Sequence, residues 1–353
     1  MMTVRAKRKS IILDTDPGIG TPGSDVDDGL AIALGLLHPA CDLLGVTIVA
    51  GNVVHEEGLP NALRLLEIAR RTEVPVVPGA TRPLLRDPRR IRELMGARRC
   101  QSVERFWDLP PFDPPTLAPA ASRAAEFIAD TVRGRPGEVT IVAIGPCTNV
   151  AAALLLDPAL ARSVAEIVVM GGAIRVPGLV TPAVEFNIGY DPEAAAVVLA
   201  SGAPVTLVPL DVTTRTVMTP PDLDRIATGG TPLHDFLART SRPWLRFAME
   251  VRGLPGFWLH DPLALAYALD PAILKLTPLH VAVELGGELT AGQLLGYPEL
   301  ARFLIPAPGP LNARVALDLD APRFMELFLG TLAGQHPAKG DATCRIERSS
   351  QSS

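Results

Sequence analysis

SIILDTDPGIGTPGSDVDD, residues 10–28, is the stretch from which the fold can be read. Ile11, Ile12 and Leu13 form a short apolar run, as expected of a strand buried on both faces. The run leads straight into Asp14, Thr15, Asp16, Pro17 and Gly18. After a loop of Gly, Pro and Ser, Asp25, Asp27 and Asp28 open a helix, so five carboxylates fall within fifteen residues. Acids at a helix start can cap it and favour its dipole, which would account for Asp27 and Asp28 but leaves Asp14 and Asp16 unused. Packing so many like charges at one strand end is repulsive unless a cation neutralises them, and hard oxygen ligands select Ca²⁺ or Mg²⁺ over zinc.

Outward from this stretch, short apolar runs alternate with helical patterns, the signature of βαβ units and a mainly parallel sheet. Strands are predicted at residues 10–13, 43–49, 74–77, 139–144, 167–170 and 205–208, and helices at 27–37, 61–71, 120–132, 149–156 and 192–199. Residues 279–284 and 313–319 read as extended segments pairing at one edge, before a helix at 322–332. The expected fold is therefore a Rossmann-like open α/β sheet, mixed at its margin, with helices on both faces. A single domain over residues 1–334 accommodates it.

Residues 82–119 are rich in Arg and Pro, and Pro110, Pro111, Pro114 and Pro115 forbid a regular element in the second half. So long a connection in a compact α/β domain reads as a flap beside the site. Residues 335–353 are polar and small, and are expected to be disordered.

Acids exceed bases by 38 to 33, which points to neither a nucleic-acid partner nor an acidic tail; a small neutral or sugar-like ligand fits better. Cys41, Cys100, Cys147 and Cys344 are far apart and show no CxxC spacing, so they read as free thiols in a reducing compartment. The basic start is followed by only three apolar residues, short of a signal-peptide core or a spanning helix. No membrane association and a cytoplasmic location are the expectations.

Ligands in open α/β sheets bind beyond the carboxyl ends of the strands, so the polar residues after each run are the candidates for function. Gly51 and Asn52 follow the second strand, where the asparagine also suits a plain turn. Gly145, Pro146, Cys147, Thr148 and Asn149 follow the fourth, with Thr148 or Asn149 placed to cap a helix. Glu185, Phe186 and Asn187 stand between Gly171–Gly172 and Asp191. His260, Asp261 and Pro262 come after Phe257 and Trp258, and Asp261–Pro262 also reads as an N-cap with proline in the first turn.

Taken together and in this order, DTDPG (14–18) with DVDD (25–28), AGN (50–52), IGPCTN (144–149), EFN (185–187) and HDPLA (260–264) resemble the nucleoside hydrolase family of the inosine- and uridine-preferring type. The resemblance covers roughly residues 11–268. It implies Ca²⁺ held by Asp16, Asp28 and Asp261 and by the main-chain carbonyl of Ile144. It implies that the cation also binds the two ribose hydroxyls and a water, whose proton Asp27 takes as general base, with Asp14 and Asp25 as nearby support. Asn52, Glu185 and Asn187 would hold the ribose hydroxyls, and His260 would help protonate the leaving base. Trp258 or Phe257 could wall that base. Family members are commonly homodimers or homotetramers, so self-association is expected, with a nucleoside as the small-molecule partner.

Such a site is chemically coherent, because N-glycosidic cleavage passes through an oxocarbenium-like ribosyl that carboxylates stabilise more than the neutral ground state. The chain departs from the family in three places. The loop from Gly20 to Val26 is long, so that Asp25 could replace an expected ligand. A histidine-glycine motif is missing near Met95, Gly96, Arg98, Arg99 and Gln101, where Arg98 and Arg99 could favour an anionic leaving group. Leu179 stands where an asparagine toward the ribose 5′-hydroxyl is expected. Two other readings remain open at this point. One is a haloacid dehalogenase-type phosphohydrolase with Asp14 as nucleophile and Asp16 as acid. The other is a riboside binder of the same fold that does not hydrolyse its ligand.

Overall fold

In the computed structural model, residues 8–89, 92–93, 105–298 and 308–334 are described. The chain runs β1 (Lys9–Thr15), α1 (Asp27–Leu37), β2 (Cys41–Ile48), α2 (His55–Ile68), β3 (Val76–Pro78), α3 (Ala124–Gly134), β4 (Val139–Ala143), α4 (Thr148–Leu156), α5 (Leu160–Ser163) and β5 (Glu166–Met170). It continues through α6 (Phe186–Tyr190), α7 (Pro192–Ala200), β6 (Val205–Val208), α8 (Leu210–Thr213), β7 (Val217–Met218), α9 (Pro220–Ala227), α10 (Pro232–Glu250) and β8 (Phe257–Trp258). Then come α11 (His260–Leu269), β9 (Leu274–Val283), β10 (Leu294–Tyr297), β11 (Ala313–Leu319) and α12 (Ala321–Leu332).

Burial on both faces of the strands dictates the layering. Along β1, Ile11 and Leu13 join one apolar cluster with α1, α2, α10, α11 and α12. Ile12, between them, joins a second cluster with α3, α4 and α7 on the other face. The nine-stranded sheet has the order β10-β9-β11-β6-β5-β4-β1-β2-β3. Pairings from β3 through β6 to β11 are parallel, while β9 runs antiparallel to both β11 and β10. The mixed margin expected of residues 279–284 and 313–319 is thus present. Strand order reverses at β1, with β2 on one side and β4 on the other, which opens a crevice at their carboxyl ends.

Several elements differ from the sequence-based expectation. Helix α2 starts at His55, not residue 61, and carries Pro60 inside it. The two-stranded β7–β8 ribbon and helices α9 and α10 were not predicted. Both helices announce themselves through a Thr–Pro start, Thr219–Pro220 and Thr231–Pro232, each with a capping box closed by the residue three positions on. Pro243 in the middle of α10 masks its helical period.

In the 82–119 excursion, residues 105–119 contain no helix or strand, as the prolines predict. This part is nonetheless packed. Phe106 meets Phe247 edge-on at 6.1 Å between ring centres, Phe112 meets Phe236 at 5.3 Å, and Thr116 N donates to Glu67 at 2.7 Å. At the other end, Leu84 N donates to Asp191 and Arg86 pairs with Glu193. Met95, Gly96, Arg98, Arg99, Gln101, Cys100, Cys344 and the 335–353 tail lie outside the described residues. Cys41 and Cys147 are buried and unbridged. Among the described residues no helix is long and apolar enough to cross a membrane.

Candidate active site

The carboxyl ends of β1, β2, β4 and β5 deliver their polar residues to one place. Asp14 and Asp16 are fully buried at the end of β1. Asp14 Oδ1 accepts from Thr47 Oγ1 on β2 at 2.5 Å and from Asn149 Nδ2 on α4 at 2.8 Å, and burial pushes its carboxyl up to about 7. Asn149 is therefore a cross-sheet strut rather than the cap expected of it. Thr148 does not cap either, because its hydroxyl donates to Asp191 Oδ2 at 2.7 Å and the position before α4 is Cys147.

Asp16 occupies a slot that only glycine neighbours leave open. A Cβ on Gly51 would come within 2.0 Å of its Oδ2, and one on Gly145 within 2.8 Å of its Oδ1. Its Oδ2 accepts from Asn52 N at 2.5 Å, while Oδ1 is buried with no hydrogen-bond donor. Burial and the neighbouring Asp28 carboxylate raise its pKa well above the carboxylate range. Asp28 Oδ1 accepts from Thr15 Oγ1 at 2.5 Å and Asp16 N at 3.1 Å, and Oδ2 accepts from Asn52 Nδ2 at 3.0 Å. Asn52 thus holds two carboxylates at once.

Asp27 and Asp28 are the first two residues of α1; the cap position is Val26, so neither acts as a side-chain cap. Asp261 does not cap α11, which starts at His260 after Leu259. Freed from capping, Asp27, Asp28 and Asp261 converge with carboxylate oxygens within 4.8 Å of one another, all buried. Burial, then mutual repulsion, raises Asp27 and Asp261 well above the usual range. Asp27 Oδ2 accepts from the backbone N–H groups of His260 and Asp261, at 3.0 and 3.2 Å. Asp25 stands beside Asp27 and adds to the repulsion.

A pocket of about 260 Å³ opens over this cluster, lined by Asp25, Asp27, Asn52, Ile144, Asp261, Glu185 and Asn187 among its polar groups. Glu185 caps α6 and accepts from Asn187 N, Ile188 N and, across the loop, Gly172 N at 2.8 Å. Asn187 Nδ2 donates to the Ile144 carbonyl at 2.7 Å, leaving that oxygen a second lone pair. His260 also lines the pocket, and its Nδ1 pairs with Thr213 Oγ1 at 2.7 Å. Trp258 is not in the wall. It stands behind His260, edge-on at 5.7 Å, and Phe257 is buried in the core. The apolar wall is instead Met170, Leu179, Val180, Phe186 and Leu210, with Arg252 beside them.

The sequence profile of the family described as "Inosine-uridine preferring nucleoside hydrolase" matches residues 11–326. The chain belongs to this family. It is 35% identical to the "Probable uridine nucleosidase 2" of Arabidopsis thaliana over 92% of this chain and 98% of that one. It is 37% identical to the "Pyrimidine-specific ribonucleoside hydrolase RihA" of Citrobacter koseri, over 92% and 97%. The solved "Purine-Preferring Ribonucleoside Hydrolase from Gardnerella vaginalis" superposes with a TM-score of 0.79 at 32% identity, covering 93% of this chain and 99% of that one. As a nucleoside hydrolase, the protein is an enzyme acting on N-glycosyl bonds.

The phosphohydrolase reading accordingly falls away. Its nucleophile would be Asp14, which is fully buried and held by Thr47 and Asn149. Residues that the sequence reading did not single out are Thr47, Thr213, Met170, Val180, Leu210 and Arg252. Thr47 and Thr213 act through partners distant in sequence, and no local spacing signals that. The glycine slot gives a direct prediction. Gly51→Ala forces Asp16 to move and is expected to destabilise the fold by about 1–3 kcal/mol, the usual range for overpacking. Thermal melts with and without a divalent cation check it; an unchanged melting temperature in both would refute the slot.

Proposed function

We propose that this nucleoside hydrolase cleaves ribonucleosides to ribose and free base with a divalent cation, Ca²⁺ by preference, held at the carboxylate cluster. The observation that carries this reading is the convergence of Asp27, Asp28 and Asp261, next to Asp16 with its buried, donor-less Oδ1. All donors are hard oxygens, and glycines keep the slot open. Asp16, Asp28, Asp261 and the Ile144 carbonyl would hold the cation. Bound there, it would acidify water and give the ribose 2′- and 3′-hydroxyls an anchor.

Asp27 serves as the general base. Two backbone N–H groups fix its Oδ2, so the carboxylate keeps one orientation at the pocket wall and takes the proton of the attacking water. Asn52, Glu185 and Asn187 position the ribose. Each is itself held by backbone or carboxylate partners, which orients it before the substrate arrives. The negative cluster stabilises the oxocarbenium-like ribosyl more than the neutral nucleoside. His260, oriented by Thr213 and Trp258, stands where it can help the base to leave.

The test is free ribose released from a panel of ribonucleosides in Ca²⁺, followed by a reducing-sugar assay. Release supports the reading. Ribose affinity without turnover of any panel member would replace it with a non-hydrolytic binder.

A further inference from the structure

Arg252 is a charged group in the pocket wall that the proposed chemistry leaves unused. It comes one residue after the Val251 C-cap of α10, where a cation suits the negative helix end, and Gly253 at φ 66° turns the chain after it. Its guanidinium carbon lies 5.4, 5.6 and 5.9 Å from the ring centres of Trp244, Phe247 and Trp258. Trp258 in turn meets His260 edge-on. Arg252 and His260 both contact Trp258 and both line the pocket, so the guanidinium shares a wall with the residue assigned to base departure. Asp25, in the same wall, attracts it.

We propose that Arg252 is a second catalytic residue for base departure, one that stabilises the base as an anion and so favours bases with a carbonyl beside the glycosidic nitrogen, as in pyrimidin-2-ones. This assignment rests on the N-glycosidic hydrolysis proposed above. As the C1′–N bond breaks, its electron pair passes to the base nitrogen and is shared with the adjacent carbonyl oxygen. Water adds its oxygen to C1′, its proton goes to Asp27, and the base anion takes up a proton from His260 or solvent.

A guanidinium holds its protons at any working pH, so Arg252 acts by charge and by its forked N–H donors on the carbonyl. Purines leave after protonation at a ring nitrogen, and there a fixed cation repels the charge that develops. The aromatic faces shield one side of the guanidinium from water, which strengthens its pull on a departing anion.

The experiment compares wild type with Arg252→Met and Arg252→Lys on uridine and on 4-nitrophenyl β-D-ribofuranoside, whose nitrophenolate departs unaided. Arg252→Met is expected to lose about 10- to 100-fold in kcat/KM on uridine, the worth of one charge-assisted hydrogen bond. On the nitrophenyl riboside the loss should stay under about 3-fold, and Arg252→Lys should recover part of the uridine loss. Equal losses on both substrates, or none on uridine, would overturn the assignment. If circular dichroism shows Arg252→Met misfolded, Arg252→Gln, which is polar but uncharged, carries the same comparison. A wild-type enzyme that cleaves neither riboside would instead sink the proposed hydrolysis, and this role with it.

Discussion

Asp27→Asn is expected to lower kcat for ribose release by about 10³-fold while KM stays within a few-fold, the signature of a lost general base. The substitution is well suited to the question. An asparagine oxygen can still accept from the backbone N–H groups of His260 and Asp261, so the start of α1 and the start of α11 remain joined. It also removes one charge from a repelling cluster, so the fold should not weaken. The geometry sharpens the test further. Asp27 lies within 4.8 Å of Asp28 and Asp261, close enough to be a cation ligand itself. A base that is not a ligand loses kcat at unchanged cation affinity; a ligand loses cation affinity first. Titrating Ca²⁺ by calorimetry on both proteins, alongside kcat, separates the two. An Asp27→Asn enzyme with wild-type kcat would remove Asp27 from the chemistry altogether.

The sheet was legible because strands buried on both faces carry short runs of mostly apolar, β-branched residues, and β1, β2, β4, β5 and β6 all do. The region between β6 and α11 was not. There α10 carries Pro243, and β8 is only two residues long, so neither shows a period that can be counted. That gap explains why Arg252, one of the missed pocket residues, was not found. Arg252 lies just past the end of α10, and without that helix nothing in the sequence places it in the pocket wall.

The acids stood out because helix capping would use Asp27 and Asp28 but leave Asp14 and Asp16 unexplained; in the structure Val26, Cys147 and Leu259 hold the cap positions instead of the acids, Thr148 or Asn149. Polar residues that decline the caps are available for longer-range work. Thr148 reaches Asp191, Asn149 reaches Asp14, and Asp261 reaches the cluster. What the sequence could not supply is which aromatic faces the ligand. Phe186 and Trp258 are equally apolar neighbours of site residues, and only the three-dimensional arrangement puts Phe186 in the wall and Trp258 behind His260.

Stripping divalent cations is expected to abolish ribose release and to lower the melting temperature in a pH-dependent way. Burial raises the folded-state pKa of Asp14 from 3.8 to about 7, and Asp16, Asp27, Asp28 and Asp261 are raised as well. Between the unfolded and folded values the native cation-free protein holds more protons than the unfolded chain. For Asp14, stability therefore falls as pH climbs from 3.8 through about 7, and the other raised acids extend the fall in the same direction. A cation supplies the positive charge that protons provide at low pH, so its benefit should be small at pH 5 and large at pH 8. At a hundred-fold excess over its Kd it adds about 2.7 kcal/mol, or roughly 3–5 °C in a chain of this size. Thermal melts at the two pH values, in chelator and in Ca²⁺, measure the difference. A melting temperature indifferent to chelator at pH 8 would mean that the carboxylates keep their own protons there, and the cation would have no part in holding this site together.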